Sequence, residues 1–149
     1  MSPETVNKLV ARAYRLLAKR EYSAHELVQR FSRQASRGDC EEMLRKLIEQ
    51  GAQSDQRFAE MLCRSRYGAG RGPERLRYEL RNHRIDEQLI TEAMSPYEDE
   101  WKVLAEQVRL KKFGSPLPAD AAGRAKQLRF LRQRGFGSEE LSQYFNPVS

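Results

Sequence analysis

The chain has 149 residues, a formal net charge of +6 and a mean hydropathy of −0.81. Hydrophobic residues make up 39% of it and charged residues 32%, which is thin for one compact core and favours a chain of small helical units. No apolar run approaches the roughly 20 residues that span a bilayer, and no signal peptide opens the chain, so we expect a cytoplasmic protein without membrane contact. Cys40 and Cys63 lie far from any ligand set, so we expect reduced thiols, no metal and no cofactor.

Three helices are predicted in the first repeat, residues 1–53. Ser2 is placed to cap the first helix, with Pro3 at its first position. The segment Ser23-Ala-His-Glu26 has the spacing of a capping box and opens the second helix. The same spacing in Asp39-Cys-Glu-Glu42 predicts a capping box for the third, which Gly51 ends.

The second repeat, residues 54–96, is predicted to begin its first helix at Ser54 or Asp55. The glycines of Gly68-Ala-Gly-Arg-Gly72 resemble a phosphate-binding loop, but no Lys-Ser/Thr pair follows and no strand precedes them. A turn is therefore predicted, with Pro73 starting an arginine-rich helix. Ile85 and Ile90 form a hydrophobic staple at the start of a short third helix.

The third repeat, residues 97–149, is predicted to open near Tyr97. Trp101 falls in a helical apolar stripe, which favours a core position over a binding role. The segment Ser115-Pro-Leu-Pro118 breaks the chain, and Ser138 is expected to cap a last helix. No segment alternates with the period of a strand.

A basic residue followed by an aromatic one recurs along the chain. Tyr22 and Tyr67 are 45 residues apart, and Tyr67 and Phe113 are 46 apart. This period is typical of stacked supersecondary units. The predicted fold is all-α, with three tandem three-helix repeats forming an elongated, curved helical array that suits the binding of something long.

Charge is segregated along the chain. Residues 57–84 carry a net charge of +5, residues 85–100 carry −6, and residues 101–134 carry +7. The two basic blocks indicate a polyanion site, and the acidic interval indicates a separate face. The alternative is that these charges only solvate exposed helix faces.

The candidate contact residues come from the two basic blocks. They are Arg66, Arg71, Arg75, Arg77, Arg81, Arg84, Lys111, Lys112, Arg124, Arg129, Arg132 and Arg134. Helical spacing places Arg77, Arg81 and Arg84 on roughly one side of a helix, and arginine suits a bidentate grip on phosphate or carboxylate. The aromatic residues Tyr67, Tyr78, Phe113 and Phe130 are interleaved and could stack on bases or pack at repeat junctions. The pattern leaves DNA, RNA and an acidic protein groove open as partners.

The sequence also bears on whether the protein is an enzyme. The two histidines, His25 and His83, are isolated, and no nucleophile, metal-ligand or paired-carboxylate arrangement stands next to turn signals. We therefore expect a binding protein rather than an enzyme.

Four segments together resemble the RecX family of regulatory proteins. They are Gly51-Ala-Gln-Ser-Asp-Gln-Arg-Phe-Ala59, Arg66-Tyr-Gly68 followed by Gly72-Pro-Glu-Arg-Leu-Arg-Tyr-Glu-Leu80, Lys112-Phe-Gly-Ser-Pro-Leu-Pro118 and Arg129-Phe-Leu-Arg-Gln-Arg-Gly-Phe136. The resemblance covers the chain from about Tyr14 to Phe145. Ala52 and Gln53 stand where bulkier apolar residues are usual, and Arg84 stands where glycine is common.

The resemblance implies what the protein binds. Members of the family bind RecA, above all its nucleoprotein filament on single-stranded DNA, and inhibit its recombinase, ATPase and co-protease activities by lying in the filament groove. It implies a cytoplasmic monomer whose partners are RecA and single-stranded DNA, with weaker contact to duplex DNA. Two rivals remain at this point, a helix-turn-helix-like transcription regulator that binds duplex DNA and an RNA-binding accessory protein.

Overall fold

The structure is a computed structural model that describes residues 2–145, apart from the side chain of Phe145. Its helices are α1 (Pro3–Leu17), α2 (Ala24–Phe31), α3 (Arg37–Glu49), α4 (Asp55–Gly68), α5 (Pro73–Asn82), α6 (Glu87–Met94), α7 (Trp101–Phe113), α8 (Ala121–Gln133) and α9 (Ser138–Phe145), with a 3-10 turn at Ser95–Tyr97. Residues 2–145 contain no strand. The prediction of an all-α chain built from three sets of three helices is confirmed.

The chain divides into two compact units. The first comprises the chain up to Met61 together with Leu80–Ile90, and the second comprises Leu62–Glu79 together with the chain from Thr91 onward. The division falls within α4, α5 and α6. The repeat ranges 1–53, 54–96 and 97–149 stay a prediction, and the last of them ends outside the described residues.

In the first compact unit, α3 packs against both α1 and α2. The buried core consists of apolar side chains from these helices and the segment before α2: Leu9, Ala13, Tyr22, Leu27, Phe31, Cys40, Met43 and Leu47. Two predicted caps are confirmed. Ser2 Oγ accepts from the Thr5 amide, and Ser23 and Glu26 form a reciprocal capping box.

A polar link explains an unusual residue of this unit. Gln53 is only 3% exposed, and its side-chain amide donates to the Tyr22 carbonyl at 3.1 Å and to Asp55 Oδ1 at 2.9 Å. Asp55 also accepts from the Ala24 amide at 2.9 Å. A buried amide whose hydrogens both find acceptors is tolerated, so glutamine at this position joins the start of α2 to the start of α4.

Two predicted helix starts are wrong. The third helix begins at Arg37 because Ser36, not Asp39, is its N-cap, while the Asp39 carboxylate accepts from the backbone amide of Ser2 at 3.1 Å. The last helix begins at Ser138 itself, and the Glu140 carboxylate caps the Gly137 amide at 2.8 Å. In both places the amides at the start of the helix are capped by a side chain other than the predicted one.

The second compact unit is centred on aromatic packing and a close backbone junction. The rings of Tyr67, Tyr97 and Trp101 lie 5.2–5.7 Å apart, and Trp101 is 4% exposed, which confirms the prediction that it is core. The Gly72 amide donates to the Arg134 carbonyl at 2.8 Å, and the Glu74 amide donates to the Gly135 carbonyl at 3.0 Å. These bonds fix the start of α5 on the turn between α8 and α9.

Several helices end in the same hydrogen-bonded turn. After α3, α4, α5 and α8 the chain turns at a residue with positive φ: Gly51, Gly70, Arg84 and Gly135. After α5 the Ile85 amide donates to the Leu80 carbonyl and the Arg84 amide to the Arg81 carbonyl, which is the Schellman pattern. Arg84, at φ 58°, is the one non-glycine residue with positive φ in the described part of the chain. It therefore occupies a position that glycine would fill without strain.

Candidate anion-binding surface

Two arginines of the second compact unit pair with Glu79. Arg66, in the last turn of α4, donates from Nε to Glu79 Oε2 at 2.8 Å. Arg75 Nε lies 3.6 Å from Glu79 Oε1, and its Nη1 donates to the Gln133 carbonyl at 3.4 Å. One carboxylate thus balances only part of this charge.

The neighbouring positive charges act on Arg71, which lies between α4 and α5. Burial, followed by the charges of Arg134, Arg75 and Arg66, lowers the pKa of the Arg71 guanidinium. Like charges held close together disfavour the charged form of each. An incoming anion would relieve this repulsion.

A cavity of about 440 Å³ opens in the same unit. It lies between the loop after α4, the residues of α7 from Leu104 to Lys112, and the end of α8. The side chains of Lys111, Lys112 and Arg134 line it together with Tyr67, Leu104, Gln107, Val108 and Phe130, and the backbone of residues 68–70 completes the wall. Three candidates from the second basic block are therefore brought to one place, and none of the lining residues is acidic.

The other candidates are dispersed. Arg77 on α5 and Arg129 on α8 are exposed and form no salt bridge with any described residue. Arg81 pairs with Glu87 at 2.7 Å in the first compact unit. Arg84 lies beyond the end of α5, so the helical spacing that grouped it with Arg77 and Arg81 does not apply.

The last two candidates lie on α8. Arg132 is exposed, and Arg124 lines a separate, mostly apolar cavity of about 170 Å³ beside Leu117 and Tyr144. One of the buried residues that line this cavity is Arg109, which the ion pair with Glu106 at 2.8 Å holds in place. Arg109 therefore has a structural role in this unit.

The aromatic candidates separate into packed and exposed residues. Tyr67 packs against Tyr97 and Trp101, and Phe113 meets Phe130 edge to face at 5.4 Å. Tyr78 on α5 is 66% exposed. Among these four, Tyr78 is the one whose ring is free to stack on a base.

Sequence reasoning missed the residues that shape this surface without carrying its charge. Glu79 takes up two of the candidate arginines, and Gln107 lines the cavity one turn before Lys111. The i, i+4 spacing of Arg75 and Glu79 in the sequence indicated the role of Glu79. Nothing in the sequence indicated the role of Gln107, because it depends on how α4, α7 and α8 meet.

Residues 2–145 hold no group of three or more potential metal ligands. No helix in that part of the chain has the length and apolar character to cross a membrane. What the folded chain offers is a helical scaffold with basic surfaces and cavities. It belongs to the class of all-α proteins built from successive sets of three helices.

Comparison with known proteins identifies the family. Residues 54–94 match the family model of the RecX second three-helix domain, and residues 98–145 match that of the third. Regulatory protein RecX of Chromobacterium violaceum is 43% identical over 136 residues, covering 91% of this chain and 87% of its own. Regulatory protein RecX of Acinetobacter baylyi is 37% identical over 142 residues, covering 95% and 88%. The chain belongs to the RecX family.

Solved structures share the fold. The crystal structure of RecX from Lactobacillus salivarius has a TM-score of 0.75 at 18% identity and covers 97% of both chains. Another crystal structure of a regulatory protein RecX has a TM-score of 0.80 at 22% identity, covering 93% of this chain and 72% of that one. At these identities the likeness concerns the backbone fold.

Proposed function

We propose that this protein binds RecA and RecA filaments on single-stranded DNA and inhibits their recombinase, ATPase and co-protease activities by lying in the filament groove. The observation that carries the proposal is the match to regulatory proteins named RecX over most of both chains. The protein acts by binding and not by catalysis, as a cytoplasmic monomer without a cofactor.

The charge distribution supports a partner that is both nucleic acid and protein. The basic blocks at 57–84 and 101–134 suit phosphate, and the −6 block at 85–100 suits a basic protein surface. Separate surfaces of opposite sign allow one chain to contact DNA phosphates and RecA side chains together. Such complementarity raises the association rate and fixes orientation more than it raises affinity.

The functional test is ATP hydrolysis by RecA on single-stranded DNA. Adding the purified protein to preformed filaments should lower the rate of phosphate release, with the extent of inhibition rising until it saturates. Strand exchange under the same conditions should fall in parallel. An unchanged rate at several-fold excess over RecA would refute the proposal.

The contribution of the exposed arginines can be isolated with matched variants. Replacing both Arg77 and Arg129 by glutamine removes two exposed charges that form no salt bridge with a described residue. Each lost phosphate contact should reduce the slope of log affinity against log salt by about 0.7 for single-stranded DNA.

The control for this pair carries the same change in charge elsewhere. Arg37 and Arg45 of α3 are exposed arginines in ion pairs within the first compact unit. Their replacement by glutamine should leave the slope of log affinity against log salt unchanged, because these arginines are already paired with glutamates. It should also leave the fold intact, since exposed ion pairs contribute little to stability. Equal effects of the two double variants would show that net charge, and not position, governs DNA contact.

A further inference from the structure

The cavity beside the end of α4 concentrates positive charge without balancing it. Lys111 and Lys112 come from the last turn of α7, and Arg134 follows the last turn of α8. None of the three forms a salt bridge with any described residue. The lining residues therefore carry three positive charges and no negative one.

Helix ends alone do not account for this arrangement. A cation near a helix C-terminus stabilises the helix by about 0.3–1 kcal/mol, so one lysine in the last turn of α7 would be unremarkable on that ground. Here cations from two different segments converge on one cavity. Its volume of about 440 Å³ lies within the 300–1,000 Å³ that ligand pockets occupy.

An unsatisfied donor marks the same place. Arg134 Nε is buried and has no hydrogen-bond partner among the described residues. A buried donor without an acceptor is costly to the fold. The guanidinium presents its donors in a planar fork that matches the oxygens of a phosphate, and a small rotation of the side chain would bring Nε and Nη to one such anion.

The aromatic ring and the loop backbone of the cavity are already engaged. Lys112 Nζ and Arg134 Cζ lie 5.5 and 5.8 Å from the centre of the Phe130 ring, whose edge-to-face partner is Phe113. The amides of Ala69 and Gly70 donate to carbonyls of α4. The donors left for a ligand are the Gln107 amide and the three cationic side chains, and this predominance of positive charge favours an anionic group over a stacked base.

We propose that this cavity is a binding site for a phosphate group, held by Lys111, Lys112 and Arg134. The group is supplied either by the backbone of single-stranded DNA or by a free nucleotide. The site is tested on the isolated chain, so its failure would leave the RecA proposal untouched.

The test is a titration of the ¹⁵N-labelled full chain with inorganic phosphate at constant ionic strength, followed by NMR. Saturable shifts should be confined to the amides of Ala69, Gly70 and Lys111 and to the Arg134 Nε–H. In the double variant Lys111→Gln, Lys112→Gln, binding should weaken about tenfold, the scale of a lost charge-assisted hydrogen bond.

The matched control is the double variant Lys102→Gln, Lys126→Gln. It removes two exposed lysines from the same unit and does not touch the lining. Phosphate affinity should stay within about twofold of the parent, since screened charges at a distance contribute little. Dispersed shifts that do not saturate, or equal weakening in the two double variants, would overturn the proposal.

Two further titrations separate the sources of the phosphate. A short oligothymidylate that shifts the same signals at lower concentration than ADP identifies the DNA backbone as the ligand. ADP acting at lower concentration than the oligothymidylate identifies a free nucleotide. If neither competes with inorganic phosphate for these signals, the site has no such ligand and the proposal is wrong.

Discussion

Substituting alanine for Gly72 should disrupt the junction that holds α5 on the turn after α8. A Cβ at this position would overlap the carbonyl group of Gly135 and lie 2.5 Å from the Phe136 nitrogen. These are backbone atoms of a turn that is itself fixed by hydrogen bonds, so they cannot rotate away. Because the φ of Gly72 lies outside the left-handed region, the effect of the methyl group is steric.

The expected loss of stability follows from the bonds that must lengthen. The hydrogen bonds from Gly72 to Arg134 and from Glu74 to Gly135 both lie at this junction. Two backbone bonds at about 0.5–1.5 kcal/mol each, with buried groups left partly unpaired, give a destabilisation of roughly 2–4 kcal/mol. For a chain of this size the melting temperature should fall by about 5–15 °C.

The control is Gly68→Ala, four residues earlier. Nothing lies within 4 Å of a Cβ at Gly68, which is the last residue of α4. Its melting temperature, measured by circular dichroism beside the parent and Gly72→Ala, should be equal or slightly higher, since alanine favours the helix. If Gly72→Ala melts within a degree or so of this control, Gly72 does not lie as close to the turn at Gly135 as the structure has it.

Three further changes test other parts of the fold. Arg84→Gly should raise the free energy of unfolding by about 0.5–1 kcal/mol because it relieves the left-handed backbone, whereas Arg84→Ala should not; denaturant unfolding measures both. Burial raises the pKa of Glu140, against the opposing hydrogen bond from Gly137, so the ionised form destabilises the fold and stability is lost as pH rises from the ordinary carboxyl range through the raised pKa. Glu140→Gln should therefore stabilise the protein at pH 7 and lose this gain near pH 4, while the exposed Glu139→Gln should do neither. Truncation after Ser95 removes Trp101 and the turn that anchors α5, so the fragment should melt at lower temperature and less cooperatively than the full chain.

Helix number and most helix starts were readable from the sequence because their signals are local. Ser2, Ser23 and Pro73 each act on amides within one turn, and the structure places them where the pattern does. The start of α3 was misplaced because two nearby side chains, Ser36 and Asp39, are both able to cap a helix. The Asp39 carboxylate instead accepts from the backbone amide of Ser2, 37 residues away in sequence, and a local pattern does not show this contact.

The candidate surface was only partly predictable. Composition located the basic blocks, but whether an arginine is available depends on its neighbours in space. Arg66 is taken up by Glu79, 13 residues away, and Arg134 meets Lys111 at a cavity formed by three helices. The periodicity of one helix does not show which residues of other helices lie beside it. The choice of site residues therefore rests on the fold.

The central claim is that this protein recognises the RecA filament, and direct capture tests it most simply. The tagged protein should retain RecA when ATP and single-stranded DNA are present, and retain less from RecA alone. Duplex DNA or RNA without RecA should bind more weakly and be released by moderate salt. Tight, salt-resistant retention of duplex DNA, with no RecA recovered under filament-forming conditions, would contradict the account and favour a DNA-binding transcription regulator.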